Sequence, residues 1–200
     1  TAARYGYSNG AGVKSGDVTI LDAIVQAHAD KYGSAFTRAD AAGRETFLKV
    51  GSSGFITVAF QTDASYSTQL VNGGPLGSET ADTAVLQNGD VVENLYASEA
   101  AYGCDYYTYF ALGGTQINEL TVPAGTALKL TLMGGTAFSK VYPSYYGPWA
   151  PKALEDLSAE STGSLCPIDS DGSLGAAITG AIADDGTVTT PALSEGDHSF

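Results

Sequence analysis

The sequence predicts an α+β domain followed by an all-β one, and three observations carry that expectation. One stretch, GDVTILDAIVQAHADKYG at positions 16–33, has helical periodicity. Around and beyond it, short apolar runs are bounded by Gly, Asn and Asp, the punctuation of antiparallel strands. Charged residues are only 16% of the 200-residue chain while Gly (25) and Tyr (12) are abundant, which suits turn-rich β structure better than a helical enzyme.

The helix comes first. Thr19 or Asp17 can cap its amino end, and Asp22 stands three residues after Thr19 in capping-box spacing. Leu21, Ile24, Val25, His28 and Tyr32 recur along one stripe, and Gly33 supplies the stop. A helix this short is marginal alone, since isolated helices below about 12–15 residues barely hold in water. Its stripe therefore needs a broad apolar partner, and strand-like runs provide one: GFITVAF (54–60), STQLVNG (67–73), TAVLQNGD (83–90) and DVVENLYA (90–97). Asn72-Gly73-Gly74 and Asn88-Gly89-Asp90 supply the turns between them. One helix across one small sheet is a β-grasp-like plan for residues 1–97.

The second half, 98–200, is written in strands. YGCDYYTYFAL (102–112) alternates aromatic and polar residues, and NELTVPAGTALKLTLMG (118–134) reads as two strands about a Pro-Ala-Gly turn. GAAITGAIADDGTVTTPALSEGDHSF (175–200) reads as three more, and together they suggest an Ig-like β-sandwich. Between them, 139–167 is too long for a routine sandwich loop and is expected to be an insertion, with a short helix at Ala153–Ser158.

The order VTILDAI…YG, SGFITVAF, LVNGGP and LQNGDVVENLY resembles the DUF4430 domain, a β-grasp module similar to the C-terminal domain of transcobalamin and intrinsic factor. In that family an Asn-Gly turn precedes a strand of the form dGDxVxxxY, and the resemblance spans roughly residues 5–97. The family's strand aromatic falls on Tyr66. GAIADDGTVTT (180–190) is similar to the turn of Ig-like repeats in bacterial surface proteins, where such a domain often follows a DUF4430 one. The resemblance implies an extracellular, cell-surface, structural or adhesive module. Because the family reaches cobalamin binders, it also leaves open a small-ligand carrier.

Bulk charge narrows the partners. Nine basic against 22 acidic residues give a net charge of −13, which argues against nucleic acid or an anionic membrane, both of which need clustered Lys and Arg. No apolar run reaches the roughly 18 residues of a membrane span. The amino-terminal TAARYGYSNG lacks the pattern of a signal peptide, as a mature or trimmed chain would, and no anchor is expected in this stretch.

Chemistry is thinly represented. Cys104 and Cys166 have neither CxxC spacing nor a nearby His, so a disulfide is expected, with two buried thiols as the alternative, and zinc is not. His28 lies on the apolar stripe and His198 near the end, and neither takes a role. Gly51-Ser52-Ser53-Gly54 falls one residue short of a nucleophile elbow. Asp169-Ser170-Asp171-Gly172 reads as a β-turn, with a weak calcium site as the alternative, and Asp184-Asp185-Gly186 as a hairpin turn. No catalysis, cofactor or metal is expected. The candidate ligand-binding residues are Tyr142, Tyr145, Tyr146 and Trp149, spaced by Pro143, Pro148 and Pro151, with Tyr66 in the first domain. They would meet a host or cell-wall glycan or protein, as in a carbohydrate-binding module, with covering of the core as the alternative.

Overall fold

The computed structural model describes residues 2–96, 106–141, 144, 148–153 and 164–200. The chain divides into two compact units, Thr1–Asp105 with Ala137–Pro148, and Tyr106–Thr136 with Trp149–Phe200. It is mixed and mostly strands: among the described residues three antiparallel sheets stand beside a few helices. No helix among them is long and apolar enough to cross a membrane. The boundary expected at 97/98 borders a stretch outside the described residues, and the 139–167 segment is divided, its part up to Pro148 belonging with the first unit.

In the first unit the helix α1 (Ile20–Tyr32) starts from Thr19, whose side chain accepts the Asp22 N–H while the Asp22 carboxylate accepts the Thr19 N–H. It ends at Gly33, held at φ +52. Two short helices that the sequence did not signal follow, α2 (Ser34–Thr37) and α3 (Ala41–Glu45), the latter capped by Asp40 on the Gly43 N–H. One sheet has the order β1-β2-β3, with β1 Lys49–Val50, β2 Ile56–Ala59 and β3 Thr62–Asp63. The other has the order β5-β4-β6, with β4 Ser67–Val71, β5 Gly74–Pro75 and β6 Val92–Tyr96. Ile20, Leu21, Ile24 and Val25 of α1 share one core with Phe36, Leu48, Ile56, Ala59, Ala81 and Ala84. A fourth helix, α4 (Ala137–Val141), lies against β5.

Two expected strands are corrected here. The run 54–60 ends as a strand at Ala59, because Phe60 and Gln61 turn the chain at φ +50 and +62. The run 83–90 is no strand, since its backbone serves the helix start: Ile20 N–H donates to Ala84 O at 3.1 Å and Leu86 N–H to Val18 O at 2.8 Å, leaving only a bridge between Val85 and Thr19.

The second unit is built on β7 (Tyr106–Leu112), β8 (Thr115–Gln116), β9 (Lys129–Thr136) and β10 (Lys152–Ala153), in the order β10-β9-β7-β8, with β11 (Thr187–Thr189) also on β9. Of the two strands expected in 118–134 only β9 forms. The run before it is tied at its ends instead, by Ile117 N–H to Phe110 O and Gly125 N–H to Leu193 O. Of the three strands expected in 175–200 only β11 forms, with Val188 bridged to Ile182. Ala153 is the end of β10, opposite Met133, not a helix start, and the rest of that expected helix lies outside the described residues. Leu130, Leu165, Ala181 and Val188 form this unit's core.

Candidate functional site

Asn72 and Gly73, at φ +51 and +69, are the two-residue connection between β4 and β5, a turn with both central residues left-handed. The Asn72 side chain then reaches a second turn. Its Nδ2 donates to Asp90 Oδ1 at 2.7 Å, its Oδ1 accepts the Val91 N–H at 2.9 Å, and its own N–H donates to Val91 O at 2.9 Å. Asp90 closes its own turn by accepting the Gln87 N–H at 2.7 Å. The Gln87 N–H and the Asn72 amide hold the Asp90 carboxyl below the usual carboxylate range. The Asn-Gly and Gly-Asp turns are thus one clasp.

A second network secures the amino-terminal segment. Buried Asp22 accepts the Ala2 N–H at 2.6 Å and the Asn9 amide at 3.0 Å besides the Thr19 N–H. Burial alone would raise its carboxyl, but these donors outweigh it and keep the group well below the usual carboxylate range.

His28 is fully buried, its ring stacked on Phe60 at 4.0 Å and 17°. Nε2 lies 2.8 Å from the Phe60 nitrogen and 3.1 Å from Phe47 O; the Phe60 N–H can only donate, so Nε2 accepts it at the shorter distance and Nδ1–H donates to Ile24 O at 2.7 Å. A neutral imidazole therefore holds the Phe60–Gln61 turn, in which neither residue is the usual Asn or Gly. Burial lowers the His28 pKa from its ordinary 6.5, against the Ile24 and Phe47 carbonyls that favour charge. Below 6.5 the unfolded chain then binds more protons than the folded one, so this contribution is whole above 6.5 and is lost as pH falls through and below it. The melting temperature of the first unit is expected to fall between about pH 7 and about pH 5, and the His28→Gln variant should show a flatter profile over that range. An equally steep profile in the variant would remove His28 as the cause.

In the second unit, Tyr107 and Tyr109 of β7 lie opposite Gly135 and Met133 of β9, which places all four on one sheet face. Half-buried Trp149 lies on that face: a Cβ built on Gly135 would stand 2.9 Å from the indole, and Tyr107 meets it edge-on at 5.7 Å and 77°. Tyr107 is buried and Tyr109 half-buried, 6.4 Å from Tyr107 between ring centres. Of the expected aromatic cluster only Trp149 is placed. Tyr142, Tyr145 and Tyr146 lie outside the described residues. The sequence missed Tyr107 and Tyr109 as companions of Trp149, although the aromatic alternation in YGCDYYTYFAL marked one strand face.

The remaining candidates resolve individually. Tyr66 is 42% exposed and is not part of the wall of the depression of about 450 Å³ lined by Phe55, Ser67, Gln69, Leu76 and Val141. Cys166 is a half-buried thiol, free among the described residues, and Cys104 lies outside them. Asp169 to Ser173 form a turn in which Ser173 N–H donates to Asp171 Oδ1 at 2.9 Å and Gly172 N–H to Asp169 O at 2.8 Å. Thr187 N–H likewise donates to Asp185 Oδ1 at 2.8 Å in the hairpin turn before β11. Among the described residues no group of three His, Cys, Asp and Glu side chains gathers as a metal site would.

A cavity of about 590 Å³ in the second unit has Leu128, Leu130, Val188 and Phe200 in its walls and Ser194 and His198 at hand. His198 Nε2 lies 3.3 Å from Ser194 Oγ but 3.0 Å from Ser194 O. The carbonyl can only accept, so the 3.0 Å contact calls for a proton on Nε2, and the pair closes an exposed turn. Comparison with protein-family models, curated proteins and solved structures finds no match to the chain.

Proposed function

We propose that the chain is a non-catalytic module of a bacterial cell surface, structural or adhesive, in which a β-grasp unit of the DUF4430 kind is followed by an Ig-like sandwich. The observation that carries this reading is the clasp of Asn72 with Asp90 and Val91. Asn-Gly and Gly-Asp turns are common singly. Bonded to each other they form one device, which supports reading the motifs of LVNGGP and LQNGDVVENLY as the signature of one module. The buried stripe of α1, packed in one core with β2, supports the β-grasp half, and antiparallel β7 and β9 with β11 support the sandwich half.

Adhesion is assigned to the β7–β9 face, where Tyr109 offers a flat ring to a sugar or peptide beside Tyr107, which Trp149 meets edge-on over Gly135. The test passes the purified chain over immobilised glycans and matrix proteins. Tyr109→Ala should lose retention with little change in melting. Trp149→Ala should lower the stability of the second unit by about 1–3 kcal/mol, between the values for buried and surface truncations, because its ring is half-buried. Unchanged retention of Tyr109→Ala would remove this face. Cobalamin co-eluting in gel filtration, seen by its visible absorbance, would replace adhesion with the carrier reading.

A further inference from the structure

We propose that the Asn88-Gly89 step is a site of spontaneous covalent modification, in which the Gly89 backbone nitrogen cyclises onto the Asn88 carboxamide and position 88 is left as aspartate or isoaspartate. Solvent base takes the proton from the Gly89 nitrogen, which adds to Cγ of Asn88. The Cγ–Nδ2 bond breaks and ammonia leaves with a proton. Water then opens the five-membered imide at either of its two carbonyls, so no oxidant, cofactor or enzyme is needed.

The sequence holds three Asn-Gly steps, at Asn9, Asn72 and Asn88, and the fold treats them differently. The Asn9 carboxamide is held at both ends, its Nδ2 on Asp22 at 3.0 Å and its Oδ1 by the Thr19 hydroxyl at 3.0 Å. The nitrogen that would attack it is occupied, since Gly10 N–H donates to Asp82 O at 2.9 Å. The Asn72 carboxamide is likewise fixed at both ends in the clasp, so its Cγ cannot swing onto the next nitrogen. Asn88 and Gly89 are exposed, the central residues of the turn closed by Asp90 N–H on Gln87 O at 3.1 Å. Gly89 stands third at φ +94, the left-handed position of a type II turn, where its N–H points away from the closing bond. A side chain on Gly89 would meet nothing within 4 Å, and both residues are exposed, so solvent base reaches this turn.

The product reaches beyond the turn. Isoaspartate adds one carbon to the backbone between Gln87 and Asp90, the two residues whose mutual bonds set Asp90 against Asn72. The modification therefore loosens the clasp as the protein ages.

The test ages the full chain at mildly alkaline pH and reads peptide masses after cleavage at Glu. Cuts after Glu45, Glu79 and Glu93 put Asn9, Asn72 and Asn88 on separate peptides. The Asn88 peptide should gain the mass of an amide-to-acid exchange. Asn9 and Asn72 should follow roughly ten- to hundred-fold more slowly, because two hydrogen bonds must open first at each. In urea the three rates should converge, and Asn88→Gln should abolish the native-state reaction. Asp171-Gly172 and Asp185-Gly186 can form the same imide but return to the same mass, so they do not confuse the reading. Equal native rates at the three sites, or an Asn88 that stays intact until urea is added, would overturn the proposal.

Discussion

Truncating Phe36 to Ala is expected to lower the stability of the first unit by about 3–5 kcal/mol, the range for a large aromatic removed from a core. The side chain is fully buried on α2 and meets three rings, Tyr5 and His28 at 5.6 Å and Phe47 edge-on at 6.0 Å. Its removal would leave a void walled by rings anchored to α1, to the amino-terminal turn and to the segment before β1, so little collapse is available to refill it. Phe55 is the matched control: the same residue type, 62% exposed, should tolerate Ala within about 0.5 kcal/mol. Two units can unfold separately, which would blur a single transition. The helices among the described residues all belong to the first unit, while Trp149, the one tryptophan, belongs to the second. The far-ultraviolet signal of the described helices therefore follows the first unit, and tryptophan fluorescence the second. Equal urea midpoints for Phe36→Ala and Phe55→Ala in the helical signal would mean that the ring cluster does not hold this core.

Why Phe36 escaped the sequence while α1 did not is a matter of length. Thirteen residues with a capping box and a Gly stop repeat their stripe often enough to be seen. α2 and α3, of four and five residues, complete barely one turn each, so no periodicity develops. The Asn72-Gly73 turn was legible because both residues suit a left-handed backbone. Phe60-Gln61 adopts the same kind of turn with residues that do not, and what permits it is His28, more than thirty positions away. Local chemistry cannot announce a turn stabilised by a distant ring. The strap at 83–90 misled for a related reason: its alternation is that of a strand, but its N–H and C=O groups are spent on the start of α1.

The candidate site divides along the same line. Trp149 stood out as the lone tryptophan among prolines, but its setting on Gly135 depends on the register of β7 against β9, which pairs residues from separate runs. Tyr107 and Tyr109 became its companions only through that register. The two halves of the clasp were each visible as a turn; that Asn72 would spend its whole carboxamide on Asp90 and Val91 was not, because the chain between them had to fold first to bring positions 18 apart together.

Replacing Gly54 by Ala should cost about 2–4 kcal/mol, combining a left-handed backbone with a collision. Gly54 sits at φ +78, and a Cβ there would stand 2.0 Å from Asp82 Oδ1 and 2.8 Å from Thr80 Oγ1. Those two atoms are bonded to each other at 2.5 Å, and Thr80 is tied again through its N–H to Thr83 Oγ1 at 2.9 Å, so the carboxylate cannot simply rotate away. The corner is packed tightly at Gly10 as well, where a Cβ would stand 2.5 Å from Thr83 Cγ2 and 3.0 Å from Asp82 Oδ2. Displacing this corner would reach the helix, since Ala81 O accepts the Leu21 N–H at 2.7 Å and Ala84 O the Ile20 N–H at 3.1 Å. Gly77 separates the two causes: it has a comparable φ of +68 but open space around it. Gly77→Ala should therefore show the backbone penalty alone, about 1–2 kcal/mol. If urea midpoints of the helical signal drop equally for the two variants, the contact with Asp82 contributes nothing and the corner is more pliant than its hydrogen bonds imply.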